Sequence, residues 1–550
     1  MSNYTELLEL LLKNRGIEEK DQDKFLNPKY EDCYDPFLLK DMERACVRIF
    51  ESIKAKEKIV IYSDYDCDGI PAAVIITDFF KKINYEDYLV YIPDRQYEGY
   101  GLHMDAIKEF VEKDFNLLIT FDLGITAVEE VLYAQTNGLD VIITDHHLPQ
   151  EKIPKAYAII NPKQDGCNYP DDMLCGAGVS YKLVQGMVKK YGEYFKIHKG
   201  WEKWLLDMAG VATLSDQVPL VNENRIFAHY GLLVLRKNKR TGLSQFFKNL
   251  RVDARKLTED DVAFTLAPKI NAASRMGSPM SAFELLSESN IEKAGSLSDH
   301  LIELNNDRKY LVANIMKSVN KTLYNKNDQS VVVIGNPDWK PGVLGIVASK
   351  IVDEYKRPAF VWGRGDGDVI KGSCRSFGSI NLVEMMQKLP SESLITFGGH
   401  VQAGGFSVRH EEIHFLEERI LQTYENFSFS NEEKIDEIAE AEMTIDDVNM
   451  QNFKIIDRLA PFGVGNPKPL FLFKDLPISE IREFGKDKNH LEIIFLNSRA
   501  QKIKAIAFFK TRESFNRSLT IGERVDLVSP LELNTFLGKT ELRLRIVDIK

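Results

Sequence analysis

Apolar residues arrive in short runs, and the runs alternate with stretches of helical spacing. Lys58–Tyr62, Asn116–Phe121, Asp140–Thr144 and Tyr157–Ile160 each read as a short strand: few residues, rich in β-branched and aromatic side chains. Between them, Ile70–Lys82 and Thr126–Gln135 place apolar residues at the period of a helix. Strand–helix–strand alternation of this kind predicts a doubly wound parallel sheet, the α/β class.

Ser281–Asn325 is largely helical, with Leu297, Leu301, Leu304, Leu311, Ile315 and Leu323 near one face and Arg308 interrupting that stripe. The pattern predicts a long helix or a helix pair joining two domains, and too few heptads for a coiled coil. A second, smaller α/β domain follows, with strands at Val331–Ile334 and Ala359–Trp362 around a helix at Gly345–Tyr355. Glycine-rich turns at Gly372–Arg375 and Gly398–Gly405 punctuate it. After the acidic stretch Asn431–Asp447, alternating runs at His490–Phe495, Ala505–Phe509 and Glu541–Ile549 predict a small β-barrel. Five strands in that length suit an oligonucleotide-binding (OB) barrel, with a plain β-sandwich as the alternative. The expected division is 1–280 for the first α/β domain with an N-terminal extension, 281–325 for the connecting helix, 326–430 for the second α/β domain, and 431–550 for the linker and barrel.

The 550 residues exceed what one core usually holds, about 250–300 residues. The Leu7–Leu12 segment is interrupted and flanked by charge, so it predicts an amphipathic helix rather than a secretory leader, and no apolar run reaches membrane-spanning length. Six cysteines, none in a CxxC pair, predict reduced thiols and a cytoplasmic setting. The net charge of −11 argues against simple electrostatic capture of nucleic acid, yet residues 471–550 carry +4 and leave −15 on the rest. An acidic body with a basic end can hold a polyanion locally.

The chemistry gathers at the ends of the predicted strands. Ile59–Tyr62 leads into Asp64, Asp66 and Asp68; Asn116–Phe121 leads into Asp122; Val141–Ile143 leads to Asp145, His146 and His147. Asp216 lies beyond another apolar run. In an open parallel sheet these ends form the ligand-binding edge. Carboxylates with imidazoles suit Mn²⁺ or Mg²⁺, where thiolates would point to zinc. Crowding so many carboxylates costs like-charge repulsion unless cations offset it. A metal-dependent hydrolase is the reading that follows.

These motifs, DYDxDG at Asp64–Gly69, the isolated Asp122, Asp145-His146-His147 and Asp216, resemble those of the DHH phosphoesterase superfamily. Pro93-Asp94-Arg95, Glu98–Gly101, Leu266–Arg275, Gly398-Gly399-His400, Pro461–Pro467 and Tyr34–Phe37 extend the resemblance, in order, to its RecJ branch of single-strand-specific exonucleases. The resemblance implies Asp66, Asp68, Asp122, His146 and Asp216 as metal ligands and Asp64 as an outer or inner carboxylate. His147 is implied as ligand, supporting group or substrate contact. Asp122, His147 and His400 would carry the catalysis, with His400 meeting the scissile phosphate across the cleft. Arg95, Asn271, Arg275, Ser373 and Arg375 would recognise a 5′ end, guanidinium groups gripping phosphate bidentately. Phe484, Phe495, Phe508 and Phe509 would grip the strand at the barrel.

The implied activity is two-metal, 5′→3′ hydrolysis of single-stranded DNA to 5′-mononucleotides in recombination and repair. The implied partners are a helicase and a single-strand-binding protein; no membrane is expected, and a monomer is. A phosphodiesterase of short oligonucleotides or cyclic dinucleotides is the runner-up, and an inactive replication scaffold the third reading. Tyr62, Ser274 and Val401–Gly404 depart from the family pattern without removing a proposed ligand.

Overall fold

The computed structural model describes residues 2–323, 329–364, 369–378, 380–426, 439–485, 488–515, 517, 519–534 and 540–550. The chain divides into two compact units: residues 34–218 with 230–433, and residues 1–33 with 219–229 and 434–550.

The larger unit begins with a five-stranded, all-parallel sheet. Its strands are β1 (Ile59–Ser63), β2 (Tyr88–Tyr91), β3 (Leu117–Phe121), β4 (Asp140–Thr144) and β5 (Ala158–Ile160), in the order β2-β1-β3-β4-β5. Four match the predicted runs. The fifth, β2, lies at the edge, is half-exposed and spans four residues, so it lacks the continuous apolar run that marks a strand buried on both faces. β1 and β3 are buried at every position. Burying each large aliphatic side chain there contributes roughly 1.5–3 kcal/mol, which fixes the register.

Helices cover both faces. One side carries Met104–Glu112 and Val128–Thr136, whose Ile107, Phe110 and Val131 pack against Val60, Leu118, Val141 and Ile143. The other side carries α1 (Gly69–Lys82), which packs on α2 (Gly176–Tyr191) and α3 (Leu206–Ser215). The chain leaves β1 to form β2 on one side and returns to form β3 on the other, so the topological switch point lies between β1 and β3.

Beyond α4 (Ala267–Met276), the predicted helical stretch is a pair: Met280–Ser287, then α5 (Ile291–Leu323). Tyr324 and Asn325, at the end of that stretch, and residues 431–438 of the acidic stretch lie outside the described residues. α5 buries Leu301, Val312, Ile315, Val319 and Leu323. The second sheet orders β6 (Val332–Asn336), β7 (Ala359–Arg364), β8 (Val369–Arg375), β9 (Thr396–Gly399) and β10 (Ala403–Arg409) as β6-β7-β8-β10-β9, with only β6 and β7 parallel. Its helix α6 spans Pro341–Tyr355, four residues earlier than the predicted start. Pro341 opens it at N1, where the missing N–H costs nothing. Val343, Leu344 and Val347 of α6 join the α5 residues in one core.

The smaller unit holds two sheets. One joins Ala441–Glu442, Phe471–Pro477, Arg524–Ser529 and Asp548–Ile549; the other joins Glu480–Phe484, His490–Leu496, Lys502–Ala507, Glu541–Arg545 and Leu531–Asn534. The run Glu541–Ile549 is therefore two strands in different sheets. Residues 1–33, expected with the first α/β domain, belong to this unit. Leu7, Leu8, Leu11 and Leu12 form an amphipathic stripe that packs into the barrel core with Leu459, Phe471 and Leu527.

No helix among the described residues is long and apolar enough to cross a membrane. All six cysteines are free thiols.

Candidate metal centre and phosphate pocket

Three backbone hydrogen bonds line up the motif aspartates along the sheet edge. Asp64 N–H donates to Phe121 O, Asp122 N–H to Thr144 O, and Asp145 N–H to Ile160 O, at 3.1, 2.9 and 3.0 Å. Each aspartate thus begins where its strand stops, at the switch point. The Asp64–Asp68 loop is clamped from outside: Cys67 N–H donates to Asn271 Oδ1 (2.8 Å) and Ser215 Oγ–H to Cys67 O (2.9 Å). Asn271 therefore positions the loop. Gly69 permits the turn, because a Cβ there would lie 2.4 Å from Asp64 O.

Asp66, Asp68, Asp122, His146, His147 and Asp216 converge. Their ligating atoms form overlapping groups within 4.8 Å of one another: Asp64, Asp66 and Asp122; Asp68, His146 and Asp216; Asp122, His146 and His147. His146 Nε2 lies 3.1 Å from Asp122 Oδ1, linking the first two groups. Gly176 makes room for this: a Cβ would come within 2.5 Å of the Asp122 side chain. Asp122 itself holds a φ of +63°, a left-handed conformation that costs an ordinary residue energy and often accompanies functional sites.

The electrostatics suit a site for cations. Burial, then the charges of Asp68, Asp66 and Asp64, raise the Asp122 carboxyl well above the usual range; burial and Asp66 do the same to Asp64. Burial and neighbouring aspartates push Asp68 up to about 7 and Asp216 up to about 8. Asp64 Oδ1 and Asp122 Oδ1 are buried with no hydrogen-bond partner. Buried, unpaired carboxylate oxygens are costly unless a bound ion completes them. Burial and the His147 charge push His146 down to about 3, keeping it the neutral imidazole a metal requires. Carboxylate oxygens with one or two imidazoles fit Mn²⁺ or Mg²⁺.

Asp145 was legible as part of the motif but had no assigned role. It is fully buried and accepts from His146 N–H (2.7 Å), His147 N–H (3.0 Å) and Ile125 N–H (2.9 Å). His147 Nδ1 lies 2.8 Å from its Oδ1. Burial opposes ionisation, but these bonds and the His147 charge hold the Asp145 carboxyl below its ordinary value. Burial would lower His147, yet Asp145 outweighs it and raises the imidazole. Asp145 therefore fixes the ring beside Asp122, whose Oδ1 lies 4.0 Å from Nδ1, as partners of metal-bound histidines do. Tyr100, within the Glu98–Gly101 motif but also without an assigned role, places its hydroxyl 3.2 Å from His147 Nδ1.

Three of the predicted phosphate residues, Arg275, Ser373 and Arg375, lie against the start of α6. Arg275 Nη1 donates to Gly342 O at 3.1 Å, while its Nε is buried without a partner. At Gly345 an added Cβ would lie 3.0 Å from Arg375 Nη2 and 3.7 Å from Ser373 Oγ. Arg95 stacks over Tyr65 at 4.9 Å. His400 sits in the turn between β9 and β10, held by its N–H to Ala403 O (2.8 Å) and exposed. Gly399 takes φ +140°, and a Cβ there would meet Ala403 O at 2.3 Å, so this turn needs glycine. Burial, with His147 and Lys163, lowers the His400 imidazole.

The departures have local roles. Tyr62 is fully buried and its hydroxyl donates to Gly101 O (3.1 Å); Ser274 is buried and donates to Asn271 O (3.3 Å). Gln402 donates to Gly378 O (2.9 Å).

On the barrel the four phenylalanines separate. Phe495 is 1% exposed and belongs to the core, because the inward face of a strand takes every second residue. Phe484 and Phe508 pack around His490, and Arg545 lies 4.3 Å over the Phe508 ring. Phe509 is 77% exposed at φ +56°.

Residues 58–213 match the model of the DHH family N-terminal domain, residues 327–426 that of the DHHA1 domain, and residues 439–548 that of the RecJ OB domain. The single-stranded-DNA-specific exonuclease RecJ of Bacillus subtilis is 34% identical over 99% of this chain and 68% of its own length. Among solved structures, RecJ from Thermus thermophilus in complex with Mn²⁺ superposes with a TM-score of 0.80 at 26% identity, covering 99% of this chain and 75% of that one. An exonuclease RecJ bound to manganese gives a TM-score of 0.63 at 29% identity, covering 71% and 96%. Sequence, fold and the ordered motifs agree: the chain belongs to the RecJ family.

Proposed function

We propose that the chain is a metal-dependent exonuclease of single-stranded DNA, working 5′→3′ and releasing 5′-mononucleotides. The observation that carries this reading is the juxtaposition of two unbalanced charge clusters. Carboxylates crowd the end of one sheet, and arginines ring the start of α6 in the second α/β domain. Asp64, Asp66 and Asp122 would hold one divalent ion, and Asp68, His146 and Asp216 a second. Mn²⁺ or Mg²⁺ bound there lowers the pKa of water toward neutrality and offsets charge at phosphorus.

The chain's own residues do the rest. Arg95, Arg275, Ser373 and Arg375 seat the terminal phosphate and so set the length cut at each step. Asn271 holds the Asp64–Asp68 loop in register with that pocket. His147, steadied by Asp145, presents its ring to the reacting phosphate. His400 offers an N–H to a phosphate oxygen from the opposite side. Phe484, Phe508 and Phe509 stack bases of the incoming strand, which the barrel grips with Arg543 and Arg545. Domain limits near 280, 325 and 430, a monomer in the cytoplasm, and supply of strands by a helicase and a single-strand-binding protein complete the reading.

Asp66→Ala tests it. Exonuclease activity in Mn²⁺ should vanish while the circular-dichroism spectrum and melting stay close to wild type. Turnover retained by the folded variant would contradict the assignment.

A further inference from the structure

Beyond the pocket at α6, positive charge continues where α4 packs on α5. Arg308 of α5 is half-buried; its Nη2 donates to Asn305 Oδ1 at 2.9 Å, and its Nε is buried with no partner. Lys269 of α4 is half-buried as well, its Nζ donating only to Thr265 O at 2.7 Å. Neither cation pairs with a described carboxylate. Burial, Lys309 and Arg308 push the Lys269 ammonium down to about 8, and burial lowers Arg308.

The neighbours form a succession. Arg375 feels Arg95; Arg275 feels Arg95, Arg308 and Arg375; Lys269 feels Lys309 and Arg308. Arg308 is the neighbour that Arg275 and Lys269 share. Two half-buried cations cost desolvation that no protein carboxylate offsets. A helix–helix seam has no need of them, since apolar residues would pack it better.

We propose that Arg308, with Lys269, binds a backbone phosphate of the DNA strand other than the terminal one. The proposal rests on the single-strand exonuclease reading and adds a subsite to it. Arg308 spans the seam to reach that phosphate, and its contact to Asn305 holds the guanidinium in place.

The test uses the full-length protein, first confirming that wild type degrades a 5′-phosphorylated 30-nucleotide strand in Mn²⁺. Failure there would overturn the exonuclease reading, and this subsite with it. Arg308→Gln and Lys269→Gln should each raise KM for that strand about 5–10-fold at unchanged kcat. Binding in chelator should lose about 0.7 from the slope of log affinity against log salt, the value of one single-strand phosphate contact. The preference for a 5′-phosphate over a 5′-hydroxyl should be unchanged, turnover of a 5′-phosphorylated dinucleotide unaffected, and Arg308→Lys should restore most of the loss. An unchanged salt slope in both folded glutamine variants would overturn the proposal. So would collapse of the 5′-phosphate preference, which would place Arg308 in the terminal pocket. Should Arg308→Gln fail to fold, Lys269→Gln alone decides by the same readouts.

Discussion

Two sides of the larger unit are opposite in charge and alike in crowding like charges together. On the sheet side, Asp64, Asp68, Asp122 and Asp216 are all pushed toward protonation by burial and by one another. On the other side, burial, Arg95, Arg308 and Arg375 push Arg275 down to about 9. A folded protein has little reason to gather like charges unless the missing counter-charge is a ligand. The acidic side suits cations and the arginine side suits an anion, so a metal-bound phosphodiester satisfies both at once.

The strongest way to break the comparison is to remove its acidic hub. Asp122→Asn keeps the shape but cuts the charge of one proposed ion site beside His146 of the other, and kcat should fall by about 10²–10³-fold or more. Steady-state kinetics across Mn²⁺ concentrations would check this. A smaller loss recovered by extra metal would show that Asp122 tunes affinity only.

Metal and pH provide the next test. The folded pKa values of Asp68 and Asp216, about 7 and about 8, lie above the ordinary 3.8, so the folded chain holds protons the unfolded chain releases. The stability these two carboxyls contribute without metal should therefore be full below about pH 4 and be lost as pH rises through 8. Mn²⁺ at about 1,000 times its dissociation constant should restore about 4 kcal/mol at pH 8, and less at pH 5, where protons compete. Thermal melts in chelator and in Mn²⁺ at both pH values would show it.

Arg375→Ala addresses the cationic side. Charge-assisted hydrogen bonds contribute about 1.5–3 kcal/mol, so the preference for 5′-phosphorylated over 5′-hydroxyl strands should fall about 10–100-fold. The smallest effect is expected far from the chemistry. Phe509→Ala should weaken binding of long strands by the roughly 1–3 kcal/mol of one stacked base and leave dinucleotide turnover intact.

Much of the acidic side was legible in the sequence, because strand ends and ligand types coincide: β1, β3 and β4 each run straight into their aspartate. The exceptions have physical causes. β2 is a short, half-exposed edge and shows no buried run. Asp145 reads as one more acidic residue until its three backbone bonds and His147 are seen together. Phe495 and Phe509 are indistinguishable by type, and only strand phase separates core from surface. Residues 1–33 join the barrel's unit through a leucine stripe whose target lies hundreds of residues away. Arg308 was visible only as a break in the apolar stripe of α5, and that break was itself the signal.

The most direct measurement is product analysis on single-stranded DNA labelled at either end, in Mn²⁺, beside a duplex of the same sequence. The account predicts immediate mononucleotide from the 5′ label, progressive shortening of the 3′-labelled strand, a duplex left intact, and no product with chelator. Internal cuts, mononucleotide first from the 3′ label, or turnover of dinucleotides with long strands untouched would contradict it.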